Sequence, residues 1–346
     1  NRGAVEFDTT ETQIVCDEQG RIEKIVPRVR TEAHRLIEET MLAANVCAAE
    51  FIASAEHPCL YRVHEGPTPE KRLALQAMLK ALGIAAALSD EPTPAEMQAI
   101  AMAAQGRPDA AQVHTLLLRS MQQAIYTASN AGHFGLAYDA YTHFTSPIRR
   151  YPDLLVHRVI KALLAGRRYH LVASEKTRVP EVRRGGKVSH RAVKPLSQEM
   201  TLWEATGVHC SANERRADEA SRDVEAWLKC RYMREHLGEE FAGTVSAVAA
   251  FGLFVTLDAM YVDGLVHITE LGGEYYRFDE ARQELRGERS GIRYAVGTRV
   301  RVQVSRVDLD GRKIDFRMVR DGEGDKLLAR GERLRAPAGG AVEELA

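Results

Sequence analysis

The chain has 346 residues, with 47 Lys+Arg against 48 Asp+Glu, 45% hydrophobic and 27% charged. That balance is ordinary for globular proteins, and at roughly 150 residues per domain it predicts about two domains, each able to bury a core. A disordered or collagen-like chain is excluded, and with no run of about 18 uncharged apolar residues and no signal-peptide pattern at Asn1-Arg2-Gly3-Ala4, neither a membrane span nor an export signal is expected.

Residues 3–26 alternate apolar and polar (Val5, Phe7, Ile14, Cys16, Ile22, Ile25), with turn signals at Asp8-Thr9-Thr10 and Glu18-Gln19-Gly20, and predict two or three short antiparallel strands. Asn in the first position and a strand already under way at Gly3-Ala4-Val5 lead us to expect that the sequence starts inside a longer polypeptide. From Thr31 the period becomes helical, with Ala33, Ile37, Met41, Ala44, Ala48 and Phe51 on one face of a helix running to about Ser54. Thr68-Pro69-Glu70, Thr93-Pro94-Ala95-Glu96 and Pro108-Asp109 announce three more helices, so the region from about 31 to 128 is expected to be mostly helical. Ser146-Pro147 is expected to open a further helix carrying Leu154, Leu155, Val159, Ile160, Leu163 and Leu164, stopped by Gly166.

Residues 167–194 are strongly basic, with Gly185-Gly186 and no apolar period, and predict a basic loop; on composition alone a solvated surface run explains them as well. A helix from about Ser211 to Leu237 is expected to end at Gly238. From about residue 240 the chain becomes Val-rich, alternating and punctuated by Gly, predicting five short strands in a small Greek-key barrel such as an OB-fold. The fold class expected is therefore α+β, a mostly helical portion followed by a five-stranded barrel. Cys16, Cys47, Cys59, Cys210 and Cys230 form no Cys-x-x-Cys pair, which predicts a reducing, cytoplasmic setting and neither a disulfide framework nor a zinc knuckle.

The densest chemistry lies at Thr145-Ser146-Pro147-Ile148-Arg149-Arg150-Tyr151-Pro152-Asp153. Ser146 read as an N-cap would aim free backbone N–H groups and the positive end of a helix dipole alongside nearby guanidinium groups, a geometry that suits a phosphate. Arg149 could then offer a bidentate fork to a phosphate oxygen; equally, Arg149 and Asp153 could form no more than an i,i+4 ion pair at a helix start. In the barrel, Phe251 and Phe254 flank Gly252 and His267 ends the next hairpin, so exposed rings could stack on unpaired bases while Arg312 meets a phosphate. The alternative is that Phe254 is core and His267 an ordinary surface residue. No phosphate loop, nucleophile elbow or His-Glu-x-x-His pair occurs, and no local carboxylate cage for two magnesium ions can be drawn, so no metal ligands are assigned.

The string from His143 to Leu154, followed by His157-Arg158, resembles the signature of the RNB family of processive 3′-to-5′ exoribonucleases. Ala33-His34-Arg35-Leu36-Ile37-Glu38-Glu39 with Met41 to Asn45, Leu60-Tyr61-Arg62-Val63-His64-Glu65 and His133-Phe134-Gly135-Leu136-Ala137 also match it. Val208-His209-Cys210-Ser211 and Glu214 to Ala220 point to the ribonuclease R branch, and residues 241–318 resemble the S1 RNA-binding domain that follows in these enzymes. The resemblance divides the chain into 1–239, the C-terminal part of the RNB domain; 240–320, the S1-type barrel; and 321–346, a flexible tail. It implies hydrolysis of RNA to nucleoside 5′-monophosphates, with magnesium held by aspartates upstream of this chain, so that the chain by itself is expected to be inactive. The runner-up reading is a nuclease-inactive RNA-binding module. By carry-over Arg149 is the catalytic residue at the scissile phosphate, and Glu39 (or Glu38), Asn45, Ser146, Arg150, Phe251, Phe254, His267, Asp308 and Arg312 are the RNA-binding positions. The expected partners are single-stranded RNA and structured RNA with a 3′ overhang, engaged by a monomer, with the ribosome or RNA-decay machinery as a further association and no membrane.

Overall fold

The helix starts follow from their caps. Glu32–Ser54 (α1) begins after Thr31, whose N–H is taken by His34 Nδ1 at 3.2 Å. Pro69–Ala81 (α2) begins where the Thr68 hydroxyl accepts from the Lys71 N–H, and Pro94–Ala104 (α3) where Thr93 and Glu96 cap each other reciprocally. With Ala110–Ser120 (α4), α2 and α3 enclose a core of Leu75, Leu79, Met97, Ile100, Val113 and Leu117. A second core joins Ala48, Ile52, Leu60, Leu155, Val156, Val159 and Trp203 from α1, from the helices Tyr151–Leu164 (α5) and Gln198–Met233 (α6), and from the approach to a short strand. That strand and its antiparallel partner are only three residues each, Tyr61–Val63 and Ile125–Thr127, too short to show alternation in sequence.

The computed structural model describes residues 11–85, 88–107, 109–172, 197–280 and 282–319. The expected strand at residues 3–8, most of the basic loop and the tail from 321 lie outside these residues. The described chain divides into two compact units, one of Arg28–Asp223 and one of Glu11–Pro27 with the residues from Val224 onward.

Two helix boundaries differ from expectation. The helix expected from about Ser211 starts 13 residues earlier, at Gln198. Its first turns bury Trp203 and Cys210 beside a close approach at Gly207, where a Cβ would stand 2.6 Å from the Tyr126 carbonyl oxygen. Glycine costs a helix interior about 1 kcal/mol relative to Ala, and at Gly207 this close approach requires it. The second difference is at Ser146: the helix begins at Tyr151, with Arg150 as N-cap and Pro152 in the first turn, and residues 147–149 form a separate turn. Pro152, not Pro147, supplies the N-terminal proline of this helix.

In the second unit, Thr12–Cys16 and Ile22–Pro27 pair as an antiparallel hairpin, the two strands expected, and Ile25 enters the same core as Met233. Numbering the four strands so far β1 (Thr12–Cys16), β2 (Ile22–Pro27), β3 (Tyr61–Val63) and β4 (Ile125–Thr127), the barrel is formed by β5 (Glu240–Ala249), β6 (Gly252–Leu257), β7 (Asp263–His267), β11 (Arg299–Asp308) and β12 (Lys313–Met318). It closes in the order β11-β12-β7-β6-β5, with β12 parallel to β7. Val245, Leu253, Val255, Leu257, Val266, Val302, Val304 and Phe316 fill it. The five-stranded barrel is as expected. The chain between β7 and β11 also forms a separate three-stranded sheet, β8 (Tyr276–Asp279), β9 (Glu284–Gly287) and β10 (Arg293–Ala295), beyond the five strands expected.

Candidate nucleic-acid interface

The segment from Phe144 to Arg150 is held from both sides by buried polar side chains. Asn45 of α1, 3% exposed, accepts from the Phe144 N–H at 2.9 Å and the Thr145 N–H at 3.2 Å, and donates to the Tyr141 hydroxyl at 2.9 Å. Asp153 of α5, with no exposed surface, accepts from the Ser146 N–H at 2.8 Å and from Arg150 Nη2 at 2.9 Å. The Ser146 carbonyl accepts from the N–H groups of Arg149 and Arg150. His157 reaches the Phe144 carbonyl at 2.9 Å and stacks on the Phe144 ring with centroids 4.2 Å apart.

Every one of these backbone N–H groups is therefore engaged within the protein. The expected phosphate cradle of free N–H groups at Ser146-Pro147 is not formed, because the helix starts later and the donors of Ser146, Arg149 and Arg150 already have acceptors. Asn45 is an internal brace rather than a surface contact, and Arg150 is the residue paired with Asp153, as an i,i+3 ion pair. Arg149 is released by that choice. Its guanidinium is exposed and takes no ion-pair partner among the described residues, next to Ile148, which is 98% exposed. Glu39 lies on the exposed face of α1.

On the barrel, alternation along β6 sends Leu253, Val255 and Leu257 inward and Phe254 outward. Phe251 is half-exposed and meets Phe254 edge-on, with centroids 6.0 Å apart. Gly252 faces His267 in register and lies so close to β7 that a Cβ would be 2.3 Å from the Val266 carbonyl oxygen. His267 is exposed and its Nδ1 stands 2.8 Å from the Thr269 hydroxyl. The two phenylalanines and His267 thus share one edge of an outward face, so the core reading of Phe254 falls. Asp308 and Arg312 sit at the β11–β12 turn, which the register places beside the opposite end of β7, four residues or about 13 Å from His267. Asp308 caps that turn by accepting from the Gly311 N–H at 2.9 Å, a bond that holds its carboxyl below the usual range. Arg312, in the left-handed region, donates to the Asp310 carbonyl at 2.7 Å.

Residues 1–166 match the family model of the RNB domain, and residues 235–318 that of the S1 RNA binding domain. The first portion is similar to the RNB family. The whole resembles ribonuclease R: the chain is 42% identical to ribonuclease R of Escherichia coli K12 over 340 residues, which is 98% of this chain and 40% of that protein. The ribonuclease R of Mycoplasma genitalium, solved with ribose-methylated single-stranded RNA, superposes with a TM-score of 0.75 at 25% identity, covering 92% of this chain and 46% of that one. Yeast Ssd1, described as a pseudonuclease, shares the fold at a TM-score of 0.54 and 20% identity over 75% of this chain and 30% of its own. The chain spans about two fifths of the length of the curated relatives it matches.

No group of three or more His, Cys, Asp or Glu among the described residues could hold a metal ion, so the magnesium implied by the RNB family finds no ligand set there. The RNB portion instead half-buries His64, His133 and His143 as neutral rings. His64 Nδ1 accepts from the Gly135 N–H at 2.9 Å and His133 Nδ1 from the Leu136 N–H at 3.2 Å, which places the proton on Nε2 in each. His133 lies 5.2 Å from the Tyr141 ring, and His143 Nδ1 is 2.7 Å from the Tyr126 hydroxyl. Burial, reinforced by His64 and Arg62 for His133 and by Arg150 and Arg62 for His143, pushes both rings down to about 3 from an ordinary 6.5. Below that ordinary value the unfolded chain takes up protons that the folded chain refuses. Their stabilisation is therefore complete above about pH 6.5 and is lost as the pH falls toward about 3. The thermal midpoint of the RNB portion is expected to decline over that window, with a shallower slope in His143→Phe; a flat midpoint in the parent chain would contradict the assignment.

Proposed function

We propose that this chain forms the RNA-holding part of a 3′-to-5′ exoribonuclease that releases nucleoside 5′-monophosphates, with Arg149 at the scissile phosphate. The observation that carries the reading is the division of labour between two adjacent arginines: Arg150 is neutralised by buried Asp153, while Arg149 is left exposed on a turn tied down by Asn45 and Asp153. A cation without a protein counter-charge on a rigid mount suits a phosphodiester, because its hydrogen bonds are oriented before charge develops at phosphorus. The outward phenylalanines of the barrel supply stacking surfaces for single-stranded bases, each worth about 1 to 3 kcal/mol. The structure of the Mycoplasma genitalium relative with single-stranded RNA supports RNA as the ligand class. Magnesium, a monomeric state and a cytoplasmic setting belong to the same proposal.

The competing reading is a nuclease-inactive RNA-binding module, since a fold by itself does not bring an activity with it and the S1-type match accounts for RNA binding alone. A 3′-labelled single-stranded RNA incubated with magnesium separates the two, using the 346-residue chain beside the full-length protein. Stepwise release of nucleoside 5′-monophosphates by the full-length protein, with binding alone by the shorter chain, is the expected result. Tight binding without degradation by either establishes the module.

A further inference from the structure

The sheet β8–β10 carries a feature that the RNA reading does not use. Its register sets Arg277 of β8 opposite Arg286 of β9, and Arg286 opposite Arg293 of β10. Tyr276, Leu285 and Tyr294, their neighbours along the strands, enter the core of the second unit, so alternation turns all three arginines outward, and all three are exposed. Like charges directly opposite one another destabilise a sheet. None of the three has an ion-pair partner among the described residues, although the next outward row is acidic, Asp279 opposite Glu284. Beside the row on its other flank stands Tyr275, 71% exposed, whose carbonyl accepts from the Glu288 N–H at 3.0 Å.

With strands about 4.8 Å apart, the three guanidinium groups occupy a band about 10 Å wide, bounded by Asp279 and Glu284 on one side and by Tyr275 with Glu288 on the other. We infer that Arg277, Arg286, Arg293 and Tyr275 form a second single-stranded RNA site, with phosphates laid across the strands on the arginine row and a base stacked on the tyrosine. Guanidinium forks plus an exposed ring are the combination that holds unpaired nucleic acid without reading sequence. The acidic row limits the track to one backbone, which disfavours a duplex. This site lies on a different sheet from Phe251, Phe254 and His267, and it rests on the RNA reading only for the class of its ligand.

The test is the affinity of the 346-residue chain for a fluorescent 20-nucleotide single-stranded RNA, and for a duplex of the same length, over a series of salt concentrations. Three lost phosphate contacts at about 0.7 each lower the salt slope by about 2, equivalent to roughly 10²-fold in affinity near 0.1 M salt. That is the result expected for the triple variant Arg277→Gln, Arg286→Gln, Arg293→Gln, with a thermal midpoint no lower than the parent's, because like-charge repulsion has been removed. Should the triple variant unfold, Arg286→Gln alone is expected to lower the slope by about 0.7 and keep the fold. Tyr275→Ala is expected to weaken binding without changing the slope. An unchanged slope in folded variants overturns the site, as does a loss confined to duplex RNA. RNA bound through this row but never degraded by the full-length protein would sink the exonuclease reading and leave this one standing.

Discussion

Arg149→Ala in the full-length protein is expected to lower kcat for RNA hydrolysis by on the order of 10²-fold or more while leaving the Kd for single-stranded RNA close to its original value. The asymmetry follows from the geometry. Arg149 is one exposed contact among several available to a bound strand, so the ground state loses little when it is removed. On the proposed function the transition state loses more, because negative charge builds at the phosphate that the guanidinium would hold. Arg149→Lys is expected to restore only part of the rate, since an ammonium cannot reproduce a bidentate fork. Single-turnover rates at saturating enzyme, set beside equilibrium binding, read the two quantities separately. Equal losses in rate and affinity would make Arg149 an ordinary electrostatic contact.

Asp153→Ala is expected to destabilise the RNB portion by about 3 to 5 kcal/mol, the range for removing one member of a buried ion pair. Asp153 is fully buried, and its loss strands the Arg150 guanidinium, only 19% exposed, together with the Ser146 N–H. Asp153→Asn keeps the shape and one accepting oxygen and is expected to cost less. Denaturant unfolding can be followed through Trp203, which lies buried in the same core as Leu155 and Val156, in a Trp227→Phe background. Because the same carboxylate fixes the turn that carries Arg149, Asp153→Asn is also expected to reduce kcat under conditions where the chain remains folded. A midpoint within about 0.5 kcal/mol of the parent's for Asp153→Ala, the usual range for a surface substitution, would mean that the pair does not brace the segment.

Much of the architecture was legible in sequence because it is specified over short distances. Thr68-Pro69 and Thr93-Pro94-Ala95-Glu96 each contain the groups that cap a helix, and α2 and α3 begin where those groups stand. The alternation of Leu253, Phe254 and Val255 carried both the barrel and the outward ring. The motif from Thr145 to Asp153 drew attention to the right segment for the candidate site, although for a helix start that the structure moves to Tyr151.

What only the tertiary structure decided depends on partners distant in sequence or on register. Local spacing offered Asp153 to Arg149; the burial of α5 instead settles the pair on Arg150 and leaves Arg149 outside. Asn45 matches the RNB pattern in sequence, but its amide is oriented by Tyr141 and by backbone groups about 100 positions away, so its bracing role is invisible in the helix that contains it. The need for Gly207 arises only from the Tyr126 carbonyl packed against it. Arg277, Arg286 and Arg293 are scattered charges along the chain, and they become a row only when three strands pair. Sequence by itself determined the caps, the periodicities and the residue types, because neighbouring atoms create those preferences; which side chains confront one another was set by packing, because burial and register act between residues that the chain keeps far apart.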